Sequence, residues 1–332
     1  LAGLYDPAEN GLTIDMWSKS DGDQIRELFD KIKKKKLSNF SEKILDIALF
    51  TNSYIPENNI SLNEFLDFKF DHLIHKKDFE LIKKFISKNS NLKNTDKLVR
   101  FYVDYFLTRS ELSKSCEIFE YTNNFSDEYL NNFKIYCLVN KQNNEQAQLL
   151  FDINSELSSI DSFFSKKFNV LMGFDKNNDE LISEKNILYF HLSHITNKNF
   201  SYEPNMNTSN FIWKYLSSSN LLKKAETINI DDIDEIKLIE KAANEEIYEE
   251  IELLDLYKKF NFDFTQLYNP LESYENLPAY EGRALLYQRF LLSQDIEQKL
   301  LFASKLKSSF LKSNLNNLFN RELSKFLKDI NS

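Results

Sequence analysis

Four histidines, arranged as two pairs with the same spacing, come nearest in this sequence to a metal-binding or reactive centre. His72 precedes His75 by three positions, and His191 precedes His194 by the same interval. Residues three apart lie on one face of a helix, so each pair could bind one metal ion through two imidazole nitrogens. One hypothesis for the chain is therefore a metal-dependent enzyme or factor.

These pairs are incomplete as metal sites. A zinc protease places histidines at positions i and i+4 with a glutamate between them, and neither pair follows that pattern. Asp71 and Asp104 are candidate extra ligands, but two pairs far apart in sequence, each short of ligands, are more often ordinary helix residues. We therefore predict no metal and no other cofactor.

An acidic segment begins like a calcium loop and then departs from that pattern. Asp175, Asn177 and Asp179 have the alternate spacing of the first calcium ligands. Position six of the loop is Glu180 rather than Gly, and position twelve is Asn186 rather than Glu. We predict a turn of Asp and Asn residues that caps the next helix, without calcium.

Nothing else in the sequence has the pattern of a catalytic site. There is no Gly-x-Ser-x-Gly element, no phosphate-binding loop, no dinucleotide fingerprint and no cysteine beside a histidine. The paired carboxylates Glu245-Glu246 and Glu249-Glu250 are typical of a solvated helix face. We predict no catalytic residue, and therefore a protein that is not an enzyme.

The two cysteines, Cys116 and Cys137, occupy core-like positions on adjacent predicted helices. We predict two buried thiols, because two cysteines do not make a disulfide framework. A bridge between them is the alternative, and it would require an oxidising compartment.

The elements that carry these residues follow a helical repeat of 32 or 33 residues, from Leu66 to Phe151. Apolar positions recur after three and four residues, which is the period of a helix. Polar breaks divide each unit into two halves: Lys77-Asp78, Arg109-Ser110 and Gln142-Asn143. Two helices per unit at this period are typical of α-solenoids, in which stacked hairpins share one core.

This repeat resembles the tetratricopeptide family over about residues 66–151. The family's Ala-x-x-x-Phe spacing in the second helix has three counterparts: Ala147 with Phe151, Ser115 with Phe119, and Ile82 with Ile86. The family's Trp, the small residue of its first helix and its closing Pro are missing from all three units. The resemblance implies a superhelix whose concave surface binds a protein or peptide, and an irregular helical bundle is the alternative.

Composition predicts an all-α chain. Its 332 residues include 5 Gly and 5 Pro, far below the average usage of about 7% and about 5%. Sheets and phosphate loops need Gly where φ is positive, whereas Asn can end helices in its place. We expect an α-solenoid, a right-handed superhelix of stacked helical hairpins, with capping helices at the C-terminus.

Three regions are predicted along the chain. Residues 1–60 form an irregular N-terminal segment and capping helices, residues 61–174 form the repeats, and residues 175–332 form a helical region that continues the superhelix. A break near 175–200 would separate two halves of that superhelix.

Within the third region we predict one long helix and one linker. The longest helical stretch is expected from Asp231 or Asp232 to about Phe260. The segment 261–280 contains two prolines and is the best candidate linker in the chain.

Charge excludes one class of partner. The net charge of −9 and the pI near 5.2 argue against nucleic acid. Residues 226–281 contain 16 acidic and 4 basic residues, a net charge of −12, whereas residues 282–332 contain 9 basic and 4 acidic residues, a net charge of +5. That asymmetry could orient a partner or pair copies head to tail, and solvated helix faces are the simpler interpretation. The oligomeric state stays open.

No run of 18 uncharged apolar residues occurs, so we expect no transmembrane segment. The expected protein is soluble, and either cytoplasmic or exported to the periplasm. Because the sequence begins at Leu1 rather than Met, a lost secretory signal is one interpretation.

Tyr102 and Tyr136 are our prediction for partner contact. Both fall off the main apolar stripe of the repeat and would line the concave surface, and Tyr is favoured at protein interfaces. Core packing is the alternative for either ring. The function predicted is a non-enzymatic scaffold for a protein or peptide partner, and a structural component of a cell-envelope assembly would differ from it only in the partner.

The two ends of the chain look like segments of an uncharacterised, alphaproteobacterial-type family of helical proteins. The likeness is carried by Gly3-Leu4-Tyr5-Asp6-Pro7, Met16-Trp17 and Glu281-Gly282-Arg283-Ala284-Leu285-Leu286-Tyr287. The resemblance implies a bacterial origin and an exported protein, and no site residue carries over from it.

Overall fold

The computed structural model describes residues 2–35, 37–92, 94–122, 125–157, 161–175 and 179–331. These ranges contain 18 α-helices, three short 3-10 helices and no strand, so the predicted all-α class is confirmed. The chain divides into two compact units, Leu1–Phe200 (unit 1) and Ser201–Ser332 (unit 2). This division falls at the end of the interval 175–200, and the three predicted regions stay a prediction.

Unit 1 is built from ten α-helices in the described residues: α1 Gly22–Lys33, α2 Asn39–Phe50, α3 Leu62–Lys76, α4 Phe79–Lys88, α5 Asp96–Leu107, α6 Leu112–Glu117, α7 Glu128–Asn140, α8 Asn144–Leu157, α9 Ser162–Leu171 and α10 Ile187–Thr196. Side-chain oxygens cap the N-termini of many of these helices. Asp21, Ser61 and Asp127, for example, accept hydrogen bonds from the first free N–H groups of α1, α3 and α7.

The polar breaks of the repeat have a common backbone conformation. Lys77, Ser110 and Gln142 all have positive φ, at 54°, 58° and 60°. They are separated by 33 and 32 residues, which is the period of the sequence repeat. A left-handed residue reverses the chain after a helix. Each break therefore joins the two helices of one hairpin: α3 to α4, α5 to α6 and α7 to α8.

The first helices of successive hairpins lie side by side. α3 contacts α5, α5 contacts α7, and α7 contacts α9, while α6 packs on α5 and α8 packs on α7. α10 contacts both α5 and α9, and its side chains also reach α7 through the hydrogen bond between Tyr136 and His191. Eight of the ten residues of α10 are buried, so the helix is covered on nearly all sides.

An extended N-terminal segment completes the interior of unit 1. The buried Lys69 ammonium donates a 2.6 Å hydrogen bond to the carbonyl oxygen of Ala2. The Asn89 side chain brackets Gly3, accepting from its N–H at 3.3 Å and donating to its carbonyl at 3.1 Å. A Cβ atom at Gly3 would lie 2.7 Å from the Phe50 carbonyl oxygen, so only glycine fits this position.

Unit 2 contains eight α-helices: α11 Asn210–Ser218, α12 Ile233–Asn244, α13 Glu250–Tyr257, α14 Phe264–Tyr268, α15 Pro270–Asn276, α16 Ala279–Leu292, α17 Ile296–Lys312 and α18 Asn320–Asn331. The prediction of one long helix between Asp231 and Phe260 is wrong, because Glu246, with φ at 60°, separates α12 from α13. The candidate linker 261–280 is folded into α14 and α15, which pack against α16.

A buried charged pair lies at the centre of unit 2. Arg283 on α16 and Glu240 on α12 are about equally inaccessible, at 3% exposure each. Nη2 and Nε of Arg283 donate to the Glu240 carboxylate at 2.5 Å and 2.9 Å, and Tyr257 on α13 donates its hydroxyl to the same carboxylate. This arrangement satisfies both charges and links three helices.

Part of the expected solvated acidic face has a structural role. The Glu250 carboxylate accepts hydrogen bonds from the N–H groups of Asn320 at 3.0 Å and Glu322 at 2.9 Å, at the start of α18. Glu249 forms an ion pair with Arg321 at 2.5 Å. A carboxylate is favoured beside free N–H groups at a helix N-terminus, so these two residues hold α18 against α13.

Candidate functional site

The first histidine pair belongs to an ion-pair cluster. His72 on α3 donates from Nε2 to the Asp46 carboxylate at 2.7 Å, and Lys76 donates to the other oxygen of the same carboxylate. Burial raises the pKa of Asp46, but the hydrogen bonds from His72 and Lys76 outweigh it and hold that pKa below its usual value. His75 is exposed. The two imidazoles therefore face different surroundings.

The two carboxylates considered as extra ligands also have protein partners. Asp71 is paired with Lys97 at 2.6 Å and with Lys33 at 3.2 Å. Asp104 accepts a hydrogen bond from the buried Tyr129 hydroxyl, and burial raises the pKa of Asp104 to about 6. Within the ranges described above, no group of three or more His, Cys, Asp or Glu residues is arranged to hold a metal ion.

The second histidine pair lies inside unit 1. His191 Nε2 is 2.7 Å from the Tyr136 hydroxyl, and the two rings meet edge to face. Burial, followed by the neighbouring His194, lowers the pKa of His191 to about 3. The pKa of His194 is lowered by burial as well, and its ring contacts Phe200. His191 is therefore a neutral imidazole at physiological pH.

Both tyrosines predicted to contact a partner are buried. Tyr102 is 1% exposed, because its ring contacts Phe79 of α4 and Phe106 of its own helix. Tyr136 is 4% exposed because α10, through His191, covers it. Their placement on an open concave surface is therefore wrong. The face of α5, α7 and α9 is occupied by α10 of the same chain, and binding of a partner stays a prediction that needs other contact residues.

The cysteine prediction is also corrected. Cys116 on α6 and Cys137 on α7 form a disulfide, with their Cα atoms 5.5 Å apart and both residues buried. Their repeat positions face each other across neighbouring hairpins, which places the Cα atoms within the range that a disulfide spans.

Of the segment that begins like a calcium loop, Asn177 lies outside the described residues. Asp179 is paired with a lysine: Lys167 Nζ lies 3.1 Å from its carboxylate and 3.1 Å from its carbonyl oxygen. Asn186 caps α10 through its side chain, which accepts from the N–H of Tyr189, so the residue that caps this helix lies after the predicted turn and not in it.

An open groove of about 540 Å³ lies between the N-terminal segment and α4. Leu4 and Leu81 line it together with polar and charged side chains: Tyr5, Glu9, Glu80, Lys83, Lys84, Ser87, Lys88 and Tyr121. We call this surface the α4 groove. Two leucines and two tyrosines share its lining with six other charged or polar side chains.

The three lysines of the α4 groove have different partners. Lys83 lies between Glu80 at 2.8 Å and Glu117 at 3.0 Å, and these hydrogen bonds raise its pKa. Lys88 donates to the Leu4 carbonyl oxygen at 2.8 Å. Lys84 is exposed, and in the described part of the chain no carboxylate lies within salt-bridge distance of it. One positive charge of the groove is thus available to a ligand.

The sequence interpretation missed the α4 groove. Lys84 and Lys88 are four residues apart and so share a face of α4, which was a visible signal. The contribution of Tyr5 and Tyr121 was not visible, because it depends on where the N-terminal segment lies.

No protein-family model, no curated protein and no solved structure matches this chain. The resemblances to tetratricopeptide repeats and to an alphaproteobacterial-type family therefore stay predictions. Among the described helices, none has the length and apolar character required to cross a membrane.

Proposed function

We propose that this chain is a non-enzymatic interaction protein, and that the α4 groove binds an acidic segment of a protein or peptide partner. The observation that carries the proposal is the groove itself, where an unpaired Lys84 lies beside two tyrosines and two leucines. Tyr supplies rigid, amphipathic contact area, and a lysine without a carboxylate partner attracts negative charge.

The proposal includes a solenoid of tetratricopeptide-like hairpins in unit 1. Support comes from the side-by-side contacts of α3, α5, α7 and α9 and from the regular spacing of the left-handed breaks. The proposed partner site differs from the family's concave surface, because α10 fills the corresponding face.

The test compares a groove variant with a matched control. Lys84→Glu combined with Ser87→Trp reverses the free charge and fills the groove, and both residues are exposed. The control, Lys43→Glu combined with Ser113→Trp, makes the same chemical changes at exposed positions of unit 1 outside the groove. Circular dichroism and melting curves establish that all proteins are folded.

Each immobilised protein is exposed to lysate and envelope fractions, and bound proteins are identified by mass spectrometry. We expect a partner that binds the wild type and the control variant, and that is lost at least about tenfold with the groove variant, since removing complementary charge at a contact weakens binding. Equal capture by all three proteins would place the partner elsewhere and overturn the assignment to the α4 groove.

We also propose that the chain works in an oxidising compartment, as a component of an exported or envelope assembly would. The supporting observation is the buried disulfide between Cys116 and Cys137, since such bonds persist mainly outside the reducing cytosol. Alkylation of cysteines in acid-quenched cells tests this, because a bridged pair takes up label only after reduction. Full labelling without reductant would contradict the proposal.

A further inference from the structure

Unit 2 has an exposed pair of aromatic rings beside unpaired negative charges. Phe264 and Tyr268 on α14 are 80% and 74% exposed. Their ring centroids are 5.9 Å apart with nearly parallel planes. Glu272 and Glu275 on the adjoining α15 are exposed. We call these four residues the acidic aromatic surface.

The charges of this surface have no neutralising partner within unit 2. No lysine or arginine of the described residues lies within salt-bridge distance of Glu272 or Glu275. A phenylalanine exposed to this extent leaves most of its ring in water, and burying that ring is favourable. Exposed aromatic anchors of this kind are enriched in protein interfaces.

A second surface of unit 2 has the opposite charge. The buried side of α17 carries Phe302, Leu306 and Phe310. Its outward side carries exposed or half-exposed leucines and lysines: Leu300, Leu301, Lys305, Leu311 and Lys312. We call these five the basic leucine surface.

Its lysines are also unpaired. Lys305 and Lys312 are seven residues apart, and therefore lie on one face of α17, next to Leu301. No carboxylate among the described residues is within salt-bridge distance of either lysine. Lys307 differs, because its ammonium donates to the carbonyl oxygens of Asn316 and Leu318.

We propose that the acidic aromatic surface of one copy of this chain docks on the basic leucine surface of a second copy. Each surface combines exposed apolar side chains with two uncompensated charges, and the charges of the two surfaces have opposite sign. Such a pairing buries the aromatic rings against leucines and neutralises all four charges. Every copy of the chain carries both surfaces, so no other partner is required. This inference does not depend on the α4 groove.

The test uses reciprocal charge reversal on the full chain, followed by sedimentation equilibrium. The acidic-surface variant is Glu272→Lys with Glu275→Lys, and the basic-surface variant is Lys305→Glu with Lys312→Glu. All four residues lie on the surface outside the core, so the variants are expected to fold. Each variant alone places like charges opposite each other, and we expect self-association to weaken by at least about tenfold.

Mixing the two variants in equal amounts distinguishes this contact from a general charge effect. The lysines of the acidic-surface variant then face the glutamates of the basic-surface variant, so the mixture should associate as the wild type does. A chain that carries all four reversals should also regain self-association. Phe264→Ser, which leaves the charges unchanged, should weaken association on its own.

The matched control is Glu145→Lys with Glu156→Lys, which changes the net charge equally at exposed positions of α8 in unit 1. It should associate as the wild type does. Wild-type association should also weaken between about 0.05 M and about 0.5 M salt, since salt screens exposed charges. A wild type that stays monomeric at low salt, or a mixture of variants that does not associate, would overturn the proposal.

Discussion

The two units order their interiors by different chemistry. Unit 1 contains both cysteines of the chain, bridged, and its other buried polar contacts include pairs without a full opposite charge, such as Tyr136 with His191. Unit 2 has no cysteine and instead buries the ion pair of Arg283 and Glu240. Unit 1 has partly buried ion pairs as well, such as Lys167 with Asp179. Unit 1 should therefore respond to reductant and acid, whereas unit 2 should lose most stability when one partner of its fully buried pair is removed.

One tryptophan in each unit allows this comparison to be measured. Trp17 lies in unit 1 and Trp213 in unit 2. In a Trp213→Phe background, fluorescence reports the unfolding of unit 1, and in a Trp17→Phe background it reports the unfolding of unit 2.

The largest expected effect is the loss of the Arg283 guanidinium. Arg283→Met leaves Glu240 buried and without its cation, and breaking a buried ion pair costs about 3–5 kcal/mol. We expect urea unfolding of unit 2 to shift by this amount in free energy, with unit 1 unchanged. Replacing both partners, as Arg283→Met with Glu240→Leu, should recover a large part of the loss, because no unpaired charge remains buried. A double variant as unstable as the single one would contradict the role given to the pair.

Loss of the disulfide should be the next largest effect. The bridge closes a loop between positions that are 21 residues apart, and loops of about this length contribute roughly 3 kcal/mol. Reductant, or Cys116→Ala with Cys137→Ala, should lower the unfolding free energy of unit 1 by this amount. The cysteine-free variant should no longer respond to reductant. A reductant effect on unit 2, which lacks cysteine, would show that the two units do not unfold separately.

A smaller effect is expected from His191 in acid. Its pKa is lowered from 6.5 to about 3 on folding, so the unfolded chain binds a proton below pH 6.5 that the folded chain does not. Stability of unit 1 is therefore lost as pH falls, at about 1.4 kcal/mol per pH unit, or roughly 2 kcal/mol at pH 5. His191→Gln should remove this part of the pH dependence. The exposed His75→Gln is the matched control and should leave it unchanged.

The helix breaks between Leu66 and Phe151 could be predicted from the sequence, because they depend on local signals. The breaks at Lys77, Ser110 and Gln142 are visible as polar interruptions of a helical period, and each is a left-handed turn in the structure. The break between α12 and α13 was missed because the carboxylates around Glu246 are typical of a solvated helix face and, unlike the other three breaks, do not recur at a fixed period.

The candidate site depends on contacts between distant segments and was harder to predict. Tyr102 and Tyr136 lie off the main apolar stripe, and a position off that stripe predicts an exposed ring. Tyr102 is buried by Phe79 of α4 and Phe106 of its own helix, and Tyr136 is buried by α10, which lies far from α7 in the sequence. The disulfide was missed for a related reason: sequence placed both cysteines in the core but did not give the distance between them.

The smallest expected effect has the opposite sign. Burial raises the pKa of Asp104 from 3.8 to about 6, so the folded state holds a proton more tightly than the unfolded state. Stability from this group is complete below pH 3.8 and is lost as pH rises through 6, at a cost of about 3 kcal/mol for the full shift. Asp104→Asn removes the buried charge and so removes this cost. It also weakens the hydrogen bond from Tyr129, which lowers the stability by about 1–2 kcal/mol. Unit 1 should therefore gain about 1–2 kcal/mol at pH 8 and nothing below pH 4. A gain that is independent of pH would show that the charge of the Asp104 carboxylate is not its cause.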